Sequence, residues 1–226
     1  MKIPSHIPLQ ESVNISLRDA LIVVDIQNDF LPGGALAVEH GDEIIAGVNQ
    51  VAKLFATSGA RVIFTQDWHP LNHQSFASVY PDKEPFDEFE APGLGPVLWP
   101  DHCVQNTTGA DFSTQLETKW AHLIIRKGFR SSIDSYSAFS ENDKKTSTGL
   151  AGYLKTSQIE RVFVCGLALD YCVYYSAQNA RQEGFEVFLI FDLTRGIDSP
   201  IGSIDAAMND MHNLNVKFIY SSSILR

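Results

Sequence analysis

Apolar positions along the chain follow two alternating patterns, which predict strands separated by helices. Short runs rich in branched residues predict strands at residues 20–25, 61–66, 121–126, 161–166, 186–191 and 217–220. Longer stretches with apolar residues at helical spacing predict helices at residues 41–58, 150–155, 170–183 and 199–214. Strands that are apolar on both faces are typical of a covered parallel sheet. The pattern therefore predicts an α/β fold: an open, mostly parallel, six-stranded sheet with helices on both faces.

The ends of the predicted helices carry recognisable signals. Gly59 and Gly184 follow the first and third helices and supply left-handed stops. Asp170 is the expected N-cap of the third helix. Ser199 is the expected N-cap of the fourth, with Pro200 in its first turn.

We expect a single domain over residues 1–226, with residues 1–19 as an N-terminal arm. The first residues contain two prolines and predict an extended segment laid over the domain. Two long irregular stretches, residues 69–112 and 128–148, interrupt the strand and helix pattern. Long loops in a compact domain are usually functional.

Composition narrows the class of protein. With 44% hydrophobic residues the chain is too apolar for a disordered protein, and its net charge of −10 argues against nucleic acid as a partner. The longest apolar runs are too short for a membrane helix, and the first residues lack the apolar core of a secretory signal, so we expect a cytoplasmic protein. The three cysteines, Cys103, Cys165 and Cys172, form no disulfide or zinc-finger pattern, which leaves room for a free reactive thiol.

Residues with catalytic chemistry cluster at the carboxyl ends of the predicted strands. Asp25 ends the first strand, Asp67 and His69 follow the second, Lys127 ends the third, and Cys172 lies in the first helical turn after the fourth. In open α/β sheets, ligands bind at this edge. Each residue alone has a plain structural explanation, but their convergence favours an active site.

The position of Cys172 suits a nucleophile. A thiol in the first turn of a helix is expected to have a lowered pKa, and free N–H groups there could hold an oxyanion. A small buried cysteine that only packs the helix against the sheet is an equal alternative. Asp25 beside Lys127 could take a proton from the thiol and return it to a departing amine, or could form only a buried ion pair. The residues alone do not separate these interpretations.

A metal site and an aromatic slot are also indicated at this edge. Asp67 and His69 have the i, i+2 spacing that places both on one side of a strand, and either His73 or His102 could supply a third ligand. Such a set suits Zn²⁺, Fe²⁺ or Mn²⁺. Four aromatic residues fall in or beside the same loops and could hold a flat ring, or merely cover the sheet edge: Phe30, Trp68, Trp99 and Tyr136.

Taken in order, these segments resemble a known family, the nicotinamidases (also called pyrazinamidases) of the isochorismatase-like cysteine hydrolases. The resemblance runs from about residue 21 to residue 220. Its segments are VDIQNDF at 24–30, TQDWHP at 65–70, NHQSFA at 72–77, WPDHC at 99–103, RKG at 126–128 and GLALDYCV at 166–173. Each segment alone is weak evidence for the family, and the six segments in this order are specific evidence for it. One departure is Leu169, where relatives frequently have threonine.

The resemblance implies a role for each candidate residue. It implies a catalytic triad of Asp25, Lys127 and Cys172, and metal ligands Asp67, His69 and His102 with His73 as an extra candidate. It also implies ring contacts from Phe30, Trp99 and Tyr136, an oxyanion hole from the N–H groups of Ala168 and Cys172, and a cis peptide bond between Leu167 and Ala168.

The implied reaction converts nicotinamide to nicotinate and ammonia through a thioester, with one divalent ion, most readily Zn²⁺, and with pyrazinamide as a further substrate. The implied partner is thus a small molecule, and homo-oligomers are frequent in this family. The nearest alternative is another amidohydrolase of the family that acts on a carbamoyl or ureido substrate. An isochorismatase would not need the thiol of Cys172, and a binding protein without activity would use the same slot only to sense a pyridine.

Overall fold

The computed structural model describes residues 1–225 and is organised around a six-stranded sheet. Its strands lie in the order β4-β3-β2-β5-β6-β7, and every neighbouring pair is parallel. They are β2 (Asp19–Val24), β3 (Arg61–Asp67), β4 (Leu123–Lys127), β5 (Arg161–Leu167), β6 (Glu186–Arg195) and β7 (Lys217–Ile219). The predicted α/β sheet is confirmed, with no antiparallel strand among these six.

Four α-helices in residues 1–225 pack around this sheet: α1 (Ile45–Thr57), α2 (Leu150–Thr156), α3 (Tyr174–Gln182) and α4 (Ser203–Asn213). A 3-10 turn over Gly41–Ile44 leads into α1, and a wide helical turn over Leu169–Val173 leads into α3. Helix α1 contacts β2 and β3, while α3 contacts β5 and β6. The stops predicted at Gly59 and Gly184 are confirmed by their φ angles of 79° and 93°.

Both predicted N-caps are wrong, because tertiary contacts determine where α3 and α4 begin. Asp170 lies inside the wide turn, and its carboxylate accepts hydrogen bonds from the N–H groups of Ile197 and Asp198 and from the Ser203 hydroxyl. Ser199 and Pro200 belong to the loop before α4, whose N-cap position is Gly202. Capping signals are local, whereas these side chains are committed to contacts between distant segments.

The sheet is not covered equally at its two edges. Strands β2, β3 and β5 are almost entirely buried. In β4, residues 123–126 alternate between partly buried and exposed, with Ile124 45% exposed, and only the final Lys127 is buried. The expectation that every strand is covered on both faces is therefore wrong for β4, which forms the sheet edge and, within residues 1–225, pairs only with β3.

The N-terminal segment is tied to the C-terminal one. Strand β1 (Val13–Asn14) pairs in parallel with β8 (Ile224–Leu225), and the Gln10 N–H donates to the Phe218 carbonyl. Strands of two residues are too short to give a hydropathy pattern, so this pair was not predicted. The expected domain ends at Arg226, which lies outside the described residues. Within residues 1–225, no helix is both long and apolar enough to cross a bilayer.

The order of the strands explains where the site forms. The chain runs from β2 to β3 and β4 on one side, then returns to β5, β6 and β7 on the other. The carboxyl ends of β2 and β5 meet closely at Gly166, where a Cβ atom would lie 2.1 Å from the Val24 carbonyl oxygen. Such a reversal of strand order opens a crevice at the carboxyl edge of the sheet.

Phe163 anchors the core between helix and sheet. It is fully buried, its ring stacks on Phe188 at 4.5 Å, and it meets the edge of Phe55 from α1 at 5.1 Å. We expect Phe163→Ala to lower the free energy of unfolding by about 3–5 kcal/mol, measured by urea denaturation, because it leaves a cavity. Phe129→Ala, at a ring that is 47% exposed, is the matched control and should cost far less. Equal losses would contradict this account of the core.

Candidate active site

A single buried amine connects the residues at the carboxyl edge of the sheet. Lys127 Nζ lies 2.9 Å from Asp25 Oδ2, 3.1 Å from Asp67 Oδ1 and 3.3 Å from Cys172 Sγ. It also donates to the Ser135 carbonyl at 2.9 Å. The structure thus brings Asp25, Lys127 and Cys172 together, although 147 positions separate the first from the last in the sequence. The contact between Lys127 and Asp67 was not predicted.

Asp25 is held in place by a neighbouring strand. It has a positive φ of 47° at the end of β2, and its N–H donates to Thr65 Oγ1 at 3.1 Å. The Thr65 hydroxyl donates to Asp25 Oδ1 at 2.5 Å. Complete burial raises the pKa of Asp25, while the charge of Lys127 and the bond from Thr65 act in the opposite direction. The carboxylate is therefore a stronger base than an ordinary aspartate.

The thiol of Cys172 is buried in the wide turn before α3. Burial raises its pKa well above the usual range, although the charge of Lys127 acts to lower it. The expectation of a lowered pKa at a helix start is wrong here, because desolvation outweighs the helix dipole and the nearby amine. A neutral thiol in this position needs a base to become a nucleophile, and the carboxylate of Asp25 contacts the same Lys127 Nζ as the thiol.

The backbone before Cys172 has an unusual course. The Ala168 carbonyl accepts hydrogen bonds from the N–H groups of Tyr171 and Val173, and the Leu167–Ala168 peptide bond is cis, as the resemblance implied. Ala168 and Cys172 both line the cavity described below. Leu169 is fully buried in the apolar core, an environment that favours an apolar side chain.

Asp67, His69 and His102 form a group that could hold a divalent cation. Asp67 Oδ2 lies 3.0 Å from His69 Nε2 and 3.5 Å from His102 Nε2, and one donor atom of each residue lies within 4.8 Å of the others. Burial acts against ionisation of Asp67, but the charges of His69 and Lys127 hold its pKa well below the usual range. One carboxylate with two imidazoles is a donor set that suits Zn²⁺ and related ions.

The two imidazoles are oriented for this purpose. His69 Nδ1 hydrogen-bonds to the Gly128 carbonyl at 2.9 Å, and His102 Nδ1 to the Pro100 carbonyl at 2.8 Å. A carbonyl accepts, so each Nδ1 carries a proton. Each Nε2 is turned toward Asp67 and is the nitrogen that would coordinate a cation in place of its own proton. At Gly128 the φ is 69°, and a Cβ atom would lie 2.5 Å from the His69 ring, so glycine is required beside it.

His73 lies outside this group. Its Nδ1 is 2.7 Å from Ser75 Oγ, and its Nε2 is 3.2 Å from the Ile133 carbonyl oxygen. His73 does form a second cluster with His69 and Asp134. That cluster would use the same His69 Nε2, because Nδ1 is already bonded to Gly128. His69 Nε2 can coordinate one cation at most, and both nitrogens of His73 already have hydrogen-bond partners in the protein.

A narrow slot opens beside Cys172. Phe30, Trp99 and Tyr136 line it, as the resemblance implied. Trp99 Nε1 donates to the Tyr136 hydroxyl at 3.0 Å, which fixes both rings. Tyr171 also lines the slot, and its ring centroid lies 4.7 Å from that of Trp99. Tyr171 was not predicted, although its position next to Cys172 in the sequence could have indicated it. The walls are suited to a flat ring.

Trp68 does not contribute to the slot. It lies instead under the guanidinium of Arg126, whose Cζ is 3.8 Å from the ring centroid. The expectation that all four aromatic residues surround a ligand is therefore wrong for Trp68. Adjacent residues of an extended chain point in opposite directions, so Trp68 faces away from the side that Asp67 and His69 share.

Two polar side chains at the carboxyl end of β2 support the cation group and were not predicted. Gln27 donates through Nε2 to the Asp67 carbonyl at 2.8 Å and accepts the Asp67 N–H through Oε1 at 2.7 Å. Asp29 accepts the Cys103 N–H at 2.7 Å, next to His102. These bonds fix the backbone on which two of the three candidate ligands are carried.

Comparison with known proteins agrees with this architecture. The family model for the isochorismatase domain matches residues 19–221. The chain therefore belongs to the isochorismatase family of α/β proteins, and the fold implied by the resemblance is confirmed.

Comparison with individual proteins is more specific than the match to the family model. A nicotinamidase of Acinetobacter baylyi is 48% identical over 91% of this chain and 94% of its own length. The structure of PnC1 from L. infantum in complex with nicotinate is 39% identical, with a TM-score of 0.81 over 95% of this chain and 98% of that one. A pyrazinamidase of Pyrococcus horikoshii in complex with zinc is 38% identical, with a TM-score of 0.74 over 90% and 99%. The resemblance to nicotinamidases is confirmed.

Proposed function

We propose that this protein is a nicotinamidase that hydrolyses nicotinamide to nicotinate and ammonia through a thioester on Cys172, and that it also deamidates pyrazinamide. The observation that carries the proposal is the contact of Lys127 with both Asp25 and Cys172 beside a slot for a flat ring. The 48% identity to a nicotinamidase supports the choice of substrate. A site with thiol, carboxylate and amine in contact is suited to amide cleavage.

The proposal includes one divalent ion held by Asp67, His69 and His102. The zinc complex of the Pyrococcus horikoshii pyrazinamidase favours Zn²⁺, and Fe²⁺ or Mn²⁺ would suit the same donors. When bound, the ion supplies a Lewis-acidic charge beside the slot, since Asp67 and His102 both line it.

The reaction begins with a proton transfer. Asp25 takes the proton of the Cys172 thiol, which is neutral at rest because it is buried. Lys127 stabilises the thiolate electrostatically, since its Nζ lies 3.3 Å from Sγ. The raised pKa of Asp25 makes this carboxylate a better proton acceptor than an exposed aspartate.

The thiolate then attacks the carboxamide carbon, and the C=O electron pair moves to oxygen. The N–H groups of Ala168 and Cys172 are the donors proposed for this oxyanion. As the oxyanion collapses, the C–N bond breaks and Asp25 returns its proton to the leaving nitrogen, which departs as ammonia. Water, with Asp25 again as base, hydrolyses the thioester to nicotinate and restores the thiol.

The direct test is ammonia release from a panel of amides. We expect the wild-type protein to act on nicotinamide and pyrazinamide, and Cys172→Ala to lose about 10³-fold or more of kcat because the nucleophile is gone. Cys165→Ala, at a buried cysteine in β5, is the matched control and should keep activity once its folding is verified. Activity confined to carbamoyl or ureido substrates, or undiminished in Cys172→Ala, would overturn the proposal.

The role of Asp25 as base predicts a pH dependence. The Thr65 hydroxyl stabilises the ionised carboxylate, so Thr65→Val should raise the pKa of Asp25 further. The ionised base is then lost at a higher pH on acidification. We expect the acid limb of the kcat/KM profile to move up by about one pH unit. Thr65→Ser retains the hydroxyl and should keep the wild-type profile, whereas superimposable profiles for Val and wild type would exclude the role.

The ligand set predicts which histidine the ion requires. In zinc titrations followed by calorimetry, His102→Asn should weaken binding by at least about tenfold, because it removes a direct ligand. His73→Asn is the matched variant and should bind zinc nearly as wild type does, since both nitrogens of His73 already have protein partners. Equal loss in the two variants would instead make His73 a ligand.

A further inference from the structure

The slot contains a buried carboxylate for which the mechanism has no use. Asp134 lines it together with Cys172 and Tyr136, and only 2% of Asp134 is exposed. Its Oδ1 accepts the Ser135 N–H at 2.8 Å. Among residues 1–225, no donor hydrogen-bonds to its Oδ2. A buried acceptor without a partner is costly, and in a binding site it indicates a missing donor on the ligand.

The backbone around Asp134 holds this side chain in position. The Asp134 N–H donates to the Gly93 carbonyl, and its own carbonyl accepts the Asn142 N–H, both at 2.8 Å. The next carbonyl, that of Ser135, accepts from Lys127 Nζ. The position of Asp134 is therefore tied to that of Lys127 through the adjacent Ser135. The Oδ2 atom has little freedom to reach another hydrogen-bond donor.

The neighbouring imidazoles are already committed. His73 Nε2 bonds to the Ile133 carbonyl, and His69 Nδ1 bonds to the Gly128 carbonyl. The remaining His69 Nε2 faces Asp67 Oδ2 at 3.0 Å. The proximity of Asp134 to His69 and His73 thus does not supply a donor for Oδ2, although it admits a cation-binding role as the competing explanation.

The substrate and product of the proposed reaction differ in the group that Asp134 would meet. A pyridine carboxamide carries an NH₂ group with two donors and no charge, whereas the carboxylate product has only acceptors and a negative charge. A free carboxylate oxygen that lines the slot pairs with the first and repels the second. Sites built to hydrogen-bond a donor discriminate strongly against a ligand that lacks it.

We propose that Asp134 distinguishes amide from acid in this slot: its Oδ2 accepts an N–H of the substrate carboxamide, and its charge disfavours the bound carboxylate product. This inference rests on the proposed function and adds a specificity-determining residue to it. Asp134 then helps to bind the substrate and to expel the product from one position, without taking part in the proton transfers.

The replacement Asp134→Asn gives a sharp test. The Ser135 N–H requires an acceptor at Oδ1, so the amide of Asn places its NH₂ where Oδ2 stood. A donor then faces the slot, and the preference should invert. Relative to wild type, we expect kcat/KM for nicotinamide to fall about tenfold or more, and nicotinate to bind about tenfold tighter relative to neutral 3-acetylpyridine.

Three further measurements separate the explanations. Asp82→Asn removes one negative charge at an exposed position and should behave as wild type. Asp134→Ala removes the acceptor without adding a donor; it should also tighten nicotinate relative to 3-acetylpyridine, and it serves if the Asn variant does not fold. Zinc content should stay at the wild-type level in both Asp134 variants.

An unchanged ratio of nicotinate to 3-acetylpyridine affinity in a folded variant would overturn the inference. Loss of zinc from Asp134→Asn comparable to that in His102→Asn would also overturn it, because Asp134 would then serve the cation. If the wild-type protein releases no ammonia from nicotinamide, it is the proposed function that fails. These three results are distinct from one another.

Discussion

The site depends on one fully buried ammonium group, that of Lys127. Burial acts to lower the pKa of Lys127, but Asp25 and Asp67 face it and hold that pKa well above its usual range. Removing the amine would deprive two buried carboxylates of the positive charge that they share, which is costly. The candidate catalytic group and the candidate cation group are therefore one electrostatic unit, with Lys127 as the shared member.

This arrangement assigns different roles to similar side chains. Asp25 and Asp67 are both buried carboxylates beside the same lysine, yet the pKa of Asp25 is raised and that of Asp67 is lowered. The difference arises because the charge of His69 and hydrogen bonds from His69 and His102 favour the ionised form of Asp67, whereas Thr65 and Lys127 favour that of Asp25. One carboxylate is thus suited to exchange a proton and the other to remain ionised.

Much of the fold and of the candidate site could be predicted because parallel strands bring their carboxyl ends to one edge. Asp25 directly follows β2, and Asp67 and Lys127 end β3 and β4, so the topology alone places them together. Thr65 and Asp134 could not be found in this way. The first acts across a pair of strands, and the second belongs to an irregular loop whose position depends on tertiary hydrogen bonds. The predicted cap at Asp170 was wrong for the same reason, since its carboxylate bonds to a loop 27 residues away.

Lys127 sits at the end of β4, the edge strand that only β3 supports. A slip of that strand by one residue would turn the amine to the opposite face of the sheet. One face of this strand is partly open to solvent, since Ile124 is 45% exposed. Local fraying there can occur at a smaller free-energy cost than global unfolding. The most consequential charge of the molecule is thus carried by a peripheral strand, so the chemistry is more fragile than the fold that surrounds it.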